Sequence, residues 1–215
     1  MIQGVIFDMD GVLADSEEFI CEAAIAMFAE HGVTAKPEDF LPWVGTGENS
    51  YLGNVAAQYG FDIDIERDKA RTYEIYAQLI RGRMKELPGS GDFVRRCRSL
   101  GLKTALATSA DRSKMVDTLA EINLPVDLFD AAVSGLDVER RKPHPDIFLK
   151  AAGLIGLEPS NCLVVEDSVS GMQAGLAAGC RVLALTTTNE APAMSDAHWV
   201  TENLSTVPEE VLAGC

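Results

Sequence analysis

VIFDMDGVLADS, residues 5–16, joins an apolar run to two carboxylates, Asp8 and Asp10, and then to Gly11. The apolar run predicts a buried strand, and alternate strand side chains point to the same face, so Asp8 and Asp10 share a face. A buried carboxylate is costly unless it is paired or binds a metal ion. We therefore expect both acids just past the carboxyl end of a strand, where ligands bind in open α/β sheets.

Three later segments repeat this pattern of polar side chains at a strand end or a helix start. In chain order they are Thr108 and Ser109 after a predicted strand at 102–107, Lys142 before a predicted helix at 146–156, and Glu166, Asp167 and Ser168 after a predicted strand at 162–165. The chain thus presents two acids, two hydroxyls, a lysine and two acids in this order.

This set of residues, in this order, resembles the haloacid dehalogenase superfamily of phosphotransferases. The resemblance is strongest to subfamily I, the branch of β-phosphoglucomutase-like enzymes and small-metabolite phosphatases. It spans nearly the whole chain and is carried by DMDGVL at 8–13, KP at 142–143 and EDS at 166–168. It implies an α/β fold, in which a doubly wound, Rossmann-like parallel sheet carries an inserted α-helical cap domain.

The order of the predicted elements agrees with that fold. Strands and helices alternate after residue 90, which favours a parallel sheet. No strand signal appears between 14 and 84, where helices are predicted at 16–31, 37–42, 48–60 and 65–83. We therefore expect a catalytic core formed by residues 1–14 and 85–215 and a helical cap formed by residues 15–84.

The resemblance implies a role for each polar residue of the core. Asp8 is the expected nucleophile, which forms an aspartyl-phosphate, and Asp10 the expected general acid and base. Thr108 and Lys142 are expected to hold the phosphoryl oxygens. The expected cofactor is Mg²⁺, which prefers few carboxylates and a substrate oxygen. Its expected ligands are Asp8, the Asp10 backbone carbonyl, Asp167 and, directly or through water, Glu166.

Further residues are expected to bind the substrate. The backbone amides of Met9, Ser109 and Ala110 can donate to an anion near a helix start. Arg112 lies on the first turn of the helix that opens at the predicted site. Gly45 and Thr46 lie in a loop of the predicted cap, where polar residues suit many small metabolites.

The predicted cap departs from the mutase pattern at two positions. Ile20 stands where a mutase carries a proton-relay histidine, and Glu48 stands where a mutase carries an arginine for the distal phosphate. Between residues 15 and 84 there are thirteen acidic and six basic residues. The sequence therefore predicts a Mg²⁺-dependent phosphatase of a sugar phosphate or a phosphoglycolate-like metabolite. A hexose-phosphate mutase and a non-catalytic binding protein on the same fold stay open as alternatives.

The overall composition and charge limit the classes of partner that the protein is expected to bind. The 215 residues carry a net charge of −15, which argues against nucleic acid and anionic membranes as partners. No apolar run approaches the length needed to span a bilayer. Five scattered cysteines without a Cys-x-x-Cys pair argue against zinc and favour a reducing compartment. With a strand predicted from residue 2, we expect a cytoplasmic enzyme that is a monomer or a weak homodimer.

Overall fold

The computed structural model describes residues 1–45 and 47–213, and a six-stranded parallel sheet forms its centre. The spatial order of the strands is β3-β2-β1-β4-β5-β6, the doubly wound order. The strands are β1 (Gly4–Phe7), β2 (Lys103–Ala107), β3 (Ala131–Val133), β4 (Cys162–Glu166), β5 (Arg181–Leu185) and β6 (Trp199–Thr201). The predicted parallel α/β fold is therefore confirmed.

Each central strand is buried on both faces because alternate residues serve two different cores. Val5 and Phe7 of β1 join one apolar cluster, whereas Ile6 between them joins the other. The first cluster includes buried side chains of the helices at 90–99 and 112–121, and the second includes buried side chains of the helices at 146–154 and 169–177. This two-sided burial explains why the strands are continuous apolar runs rather than alternating ones.

Eight α-helices lie within the described residues. They are α1 (Glu17–Glu30), α2 (Pro37–Phe40), α3 (Glu48–Gln58), α4 (Ile65–Leu79), α5 (Ser90–Ser99), α6 (Arg112–Glu121), α7 (Asp146–Leu154) and α8 (Val169–Ala177). Among the described residues, no helix combines the length and the apolarity that crossing a bilayer requires.

The helical insertion, α1 to α4, follows β1 and precedes α5. Its two long helices, α1 and α4, pack on each other, and α4 also contacts α6 beside the sheet. All four helices begin and end within four residues of their predicted bounds. The division into domains at 14/15 and 84/85 stays a prediction.

The serines that precede α1 and α8 play different parts. Ser16 precedes α1, but its side chain makes no capping hydrogen bond and donates instead to Asp10 Oδ1. Ser168 does cap its helix: its Oγ accepts from the Gly171 amide at 3.0 Å.

Candidate active site

Asp8 and Lys142 form a buried ion pair at the carboxyl end of β1. Phe7, the last residue of β1, pairs in register with Leu106 of β2 and Val165 of β4, so Asp8 lies between the ends of both neighbours. Lys142 Nζ donates to Asp8 Oδ1 at 2.5 Å. The side chains of Lys142 and Asp8 are 4% and 9% exposed, respectively. The predicted nucleophile, Asp8, therefore has a fixed cationic partner.

Three carboxylates, Asp8, Glu166 and Asp167, meet at this point. One oxygen from each lies within 4.8 Å of the others. Burial raises the pKa of Asp8 to about 7, although Lys142 acts to lower it. Burial also raises the pKa of Asp167 well above its usual value, and the charges of Glu166 and Asp8 add to this. Buried, crowded carboxylate oxygens are the donors a divalent cation prefers, so the cluster fits such an ion.

Glu166 is held through both of its oxygens. Oε2 accepts from the Asp167 amide and the Ser168 amide, each at 3.0 Å, and from Ser168 Oγ at 2.9 Å. Oε1 accepts from Lys142 Nζ. Any Cβ at position 171 would collide with this carboxylate, which is why Gly171 follows it on α8. The arrangement fixes Glu166 and lets it orient Lys142.

Asp167 is oriented by the segment that follows β5. Thr188 Oγ1 donates to Asp167 Oδ2, and Asn189 Nδ2 donates to the Asp167 carbonyl at 3.0 Å. Gly11, at φ 73°, approaches so closely that a Cβ there would clash with Oδ2. Within the described chain, no donor contacts Asp167 Oδ1 or Asp8 Oδ2, so each acid keeps one oxygen for a ligand.

Asp10 lies outside the three-carboxylate cluster and faces a different partner. Lys114 Nζ donates to Asp10 Oδ2 at 2.9 Å, and Ser16 Oγ donates to Oδ1. The Asp10 side chain is about one-fifth exposed, at 19%. It is thus held in place but open to the cavity above Asp8. Only its backbone carbonyl was predicted to bind metal, and that prediction is compatible with this side-chain direction.

The predicted phosphate-binding residues are brought together in part. Thr108 is 1% exposed, and its Oγ1 accepts from the Ala110 amide at 3.1 Å. The Ala110 amide is therefore already used within the loop, whereas the Thr108 hydroxyl proton has no acceptor among the residues that the structure describes and can donate to a ligand. Ser109 lies beside them at the cavity wall. The Met9 side chain is fully buried, so only its backbone can face a ligand.

Arg112 is placed away from these residues. It is exposed and lines a second cavity, of 490 Å³, with Asp117 and residues of α4. It does not line the cavity that contains Asp8. The reason is helical geometry: on α6 the inward face falls to Lys114 and Met115, which are buried, and Arg112 faces solvent.

A cavity of 690 Å³ lies over Asp8, enclosed by the strand ends and the helical insertion. We call Asp8, Lys142, Glu166 and Asp167 the floor of this cavity. The roof is the part supplied by the helical insertion, namely Glu17, Ile20, Leu41, Trp43, Val44, Gly45, Gly47, Glu48 and Tyr51. Thr46, predicted to bind substrate, lies outside the described residues. The volume suits a small metabolite.

Sequence reasoning missed several residues that contact the predicted site. Thr188 and Asn189 follow β5, so the rule of polar residues at strand ends would have found them. Lys114, 2% exposed, carried no such signal, because it lies inside a helix with no motif around it. Glu17 had the appearance of a first-turn acid of α1, yet burial raises its pKa to about 7.

Comparison with known proteins identifies the family. Residues 2–179 match the model of the haloacid dehalogenase-like hydrolases. The chain is 41% identical over 201 residues to SUPPRESSOR OF QUENCHING 1, chloroplastic, of Arabidopsis thaliana, covering 91% of this chain but only 19% of that protein. It is 30% identical over 208 residues to hexitol phosphatase A of Escherichia coli, covering 95% and 93% of the two chains.

The fold is shared with solved structures of low sequence identity. CbbY from Rhodobacter sphaeroides, crystallised with phosphate, superposes with a TM-score of 0.85 at 22% identity, over 96% of each chain. The phosphatases among the relatives support the predicted class of phosphoric monoester hydrolases. The chain belongs to the haloacid dehalogenase-like hydrolase family.

Proposed function

We propose that this chain is a Mg²⁺-dependent phosphatase that hydrolyses a small phosphorylated metabolite through an aspartyl-phosphate on Asp8. The observation that carries the proposal is the floor: a buried carboxylate, paired with Lys142 at 2.5 Å, beside two further acids under a cavity of 690 Å³. Its family and its phosphatase relatives support the reaction class. A sugar phosphate or a phosphoglycolate-like ester is the substrate predicted from sequence.

Asp8 supplies the nucleophilic oxygen. Lys142 binds Oδ1, which leaves Oδ2 to attack phosphorus in line with the departing oxygen. Attack on phosphorus by a carboxylate divides one difficult displacement into two easier ones. The Lys142 ammonium favours the anionic form of Asp8 against the effect of burial.

Asp167 would hold Mg²⁺ through its free Oδ1, and Asp8 through Oδ1, which keeps a lone pair beside its bond from Lys142, so that Asp8 Oδ2 stays free to attack. The Asp10 backbone carbonyl would be the third protein ligand. Both oxygens of Glu166 are engaged in hydrogen bonds, so we propose that Glu166 contributes through water and through Lys142. When bound, the ion neutralises the acid cluster and the charge on the phosphoryl oxygens.

Asp10 is placed to move the proton. It lies two residues after Asp8, and Ser16 and Lys114 hold its carboxylate toward the cavity. In the first step it protonates the leaving alcohol, and in the second it takes a proton from the attacking water. Thr108, whose hydroxyl proton is free, donates to a phosphoryl oxygen.

A hexose-phosphate mutase is the nearest alternative because it would use the same floor. The roof argues against it: Ile20 lines the cavity, is 3% exposed and cannot relay a proton. An assay separates the two reactions: the protein is incubated with β-glucose 1-phosphate, Mg²⁺ and a trace of glucose 1,6-bisphosphate, and glucose 6-phosphate and inorganic phosphate are measured separately. We expect no appreciable glucose 6-phosphate; rapid formation of glucose 6-phosphate would instead establish the mutase.

The non-catalytic alternative is tested by p-nitrophenyl phosphate with Mg²⁺. We expect release of phosphate that stops on addition of EDTA. A folded protein that binds phosphate but releases none from any ester would contradict the proposed phosphatase and favour a binding protein.

A further inference from the structure

Glu48 and Lys114 form a buried ion pair inside the cavity that the proposed mechanism does not use for chemistry. Lys114 Nζ lies 3.4 Å from Glu48 Oε1 and 2.9 Å from Asp10 Oδ2. The side chains of Lys114 and Glu48 are 3% and 9% exposed. Both line the cavity over Asp8, Lys114 from α6 and Glu48 from the start of α3. Because Lys114 contacts Asp10, the proposed proton donor to the leaving oxygen, we expect the leaving alcohol of a phosphoester on Asp8 to lie beside this pair.

Glu48 Oε2 is a buried acceptor without a partner among the described residues. A buried carboxylate oxygen that lacks a hydrogen bond is destabilising, and a donor from a ligand would relieve that cost. The Lys114 ammonium has three N–H donors and two carboxylate partners here, so it can spare one donor. An unused acceptor and an unused donor thus lie side by side.

The charges around the pair disfavour an anionic leaving group. A second phosphate or a carboxylate would approach Glu48, with Glu17 also on the roof and Asp10 beneath. An ammonium group only donates hydrogen bonds, so it could not accept one from Lys114. A hydroxyl group carries no charge and both donates and accepts, so it matches Glu48 Oε2 and Lys114 Nζ together.

We propose that Glu48 and Lys114 bind hydroxyl groups of the leaving alcohol and so select phosphate monoesters of neutral polyols or sugars. The inference rests on the proposed phosphatase function and narrows its substrate class. It excludes bisphosphates and phosphorylated carboxylic acids, the phosphoglycolate-like esters included, as preferred substrates. The specificity arises because a site with paired polar groups rejects analogues that leave them unsatisfied.

A matched series of six-carbon esters tests the inference on the unmodified protein. Sorbitol 6-phosphate, glucose 6-phosphate, 6-phosphogluconate and glucose 1,6-bisphosphate are compared by kcat/KM with Mg²⁺, and p-nitrophenyl phosphate serves as the ester without hydroxyl groups. We expect the esters of sorbitol and glucose, whose leaving alcohols are uncharged, to exceed the two analogues that carry a second anionic group by more than about tenfold in kcat/KM.

Glu48→Gln provides the second arm. The swap keeps the shape and an acceptor oxygen but leaves the Lys114 charge less compensated, so the preference for glucose 6-phosphate over glucose 1,6-bisphosphate should fall by about tenfold. A merely structural role would change both substrates alike and leave the ratio unmoved. Glu38→Gln, the same substitution at an exposed position of α2, is the control and should leave the ratio at the wild-type value.

The outcomes separate the two proposals. Absence of turnover for every ester, p-nitrophenyl phosphate included, overturns the phosphatase function and the inference with it. Turnover of p-nitrophenyl phosphate combined with a preference for the bisphosphate or the phosphogluconate overturns the inference alone. So does a ratio in Glu48→Gln equal to that of the wild type. If Glu48→Gln does not fold, the wild-type series decides by itself.

Discussion

The floor and the roof of the cavity are built by different rules, although they face each other across one space. The floor gathers residues that follow β1 and β4, with Lys142 from the segment before α7, and every charged group in it has a named partner. The roof comes from helices of the insertion, and one of its buried oxygens, Glu48 Oε2, has no partner among the described residues. The floor is thus preorganised for one reaction, whereas the roof is left to be completed by a ligand.

The difference teaches where reaction and specificity are encoded. The register of a parallel sheet fixes the strand ends relative to one another, so the sheet holds the floor side chains in fixed relative positions. Roof residues such as Ile20 and Glu48 can change with less effect on the sheet. We therefore expect substitutions in the floor to abolish the reaction and substitutions in the roof to redirect it.

The largest effect is expected from Asp8→Asn. Turnover should fall by more than about a thousandfold, because the amide cannot attack phosphorus. The thermal midpoint should hold or rise, since the variant removes one member of a repulsive acid cluster and Lys142 retains Glu166. Phosphate release and thermal unfolding are measured on the same sample.

Asp62→Asn, at an exposed position of the helical insertion, is the matched control and should leave both quantities unchanged. If Asp8→Asn kept more than about a tenth of the activity, another group would be the nucleophile, and the floor would lose its assigned role.

The next largest effect concerns the metal ion. EDTA should stop turnover and Mg²⁺ should restore it, because an uncompensated acid cluster repels the phosphate. Asp167→Asn should raise the Mg²⁺ concentration for half-maximal activity by more than about a hundredfold, and Glu166→Gln by less, since Glu166 already uses both oxygens. The Mg²⁺ dependence of the initial rate is the measurement. Full activity in metal-free buffer, or a larger effect in Glu166→Gln, would contradict the proposed ligands.

The closeness of the floor acids follows from a rule that is local in sequence. Asp8 and Asp167 directly follow buried strands and Glu166 ends one. Parallel strands bring their carboxyl ends to one edge, so these acids, and Thr108 after β2, are expected to converge without knowledge of the packing. Lys142 follows no strand, and its place rests on the family resemblance. The same rule reaches Thr188 after β5.

The roof could not be predicted in the same way. In the sequence, Glu48 stands where a mutase carries an arginine for the distal phosphate. No residue near Glu48 in the chain indicates that Lys114 is its partner. Lys114 lies 66 residues later on α6, and only the packing of α3 on α4 and of α4 on α6 brings the pair together. The predicted contact of Arg112 with substrate could not be judged from the sequence for a related reason. Arg112 and Lys114 are two residues apart on α6 and so face different sides of the helix, and only the packing of α6 decides which of them faces the cavity.

A smaller effect is expected from Thr188→Val, which removes the hydroxyl that orients Asp167. The Mg²⁺ requirement should rise by about threefold to tenfold with kcat at saturating Mg²⁺ little changed, because the metal ligand stays present but less fixed. Thr186→Val, two residues earlier on the same segment, is the control. Equal Mg²⁺ curves for both variants and the wild type would show that Thr188 has no part in the floor.

The smallest effect is expected on stability rather than on activity. The pH dependence of the free energy of unfolding has one contribution from the floor, at Asp8, and one from the roof, at Glu17. Burial raises the folded-state pKa of Asp8 from 3.8 and of Glu17 from 4.5, each to about 7. The folded state then binds more protons than the unfolded state between about pH 4 and 7, so these two groups lower the free energy of unfolding as the pH rises through that window. Mg²⁺ should cancel the contribution of Asp8, which lies in the acid cluster, to this pH dependence of the free energy of unfolding. The contribution of Glu17 should remain.

Glu17→Gln isolates the roof contribution. In excess Mg²⁺, the drop in thermal midpoint from about pH 5 to pH 8 should be smaller in Glu17→Gln than in the wild type, because the glutamine has no proton to lose. Glu18→Gln, its exposed neighbour on α1, should follow the wild type. A Glu17→Gln curve parallel to the wild type would mean that Glu17 is ionised in the folded protein near pH 5. The roof would then carry two full negative charges beside Lys114, a still stronger barrier to a second phosphate.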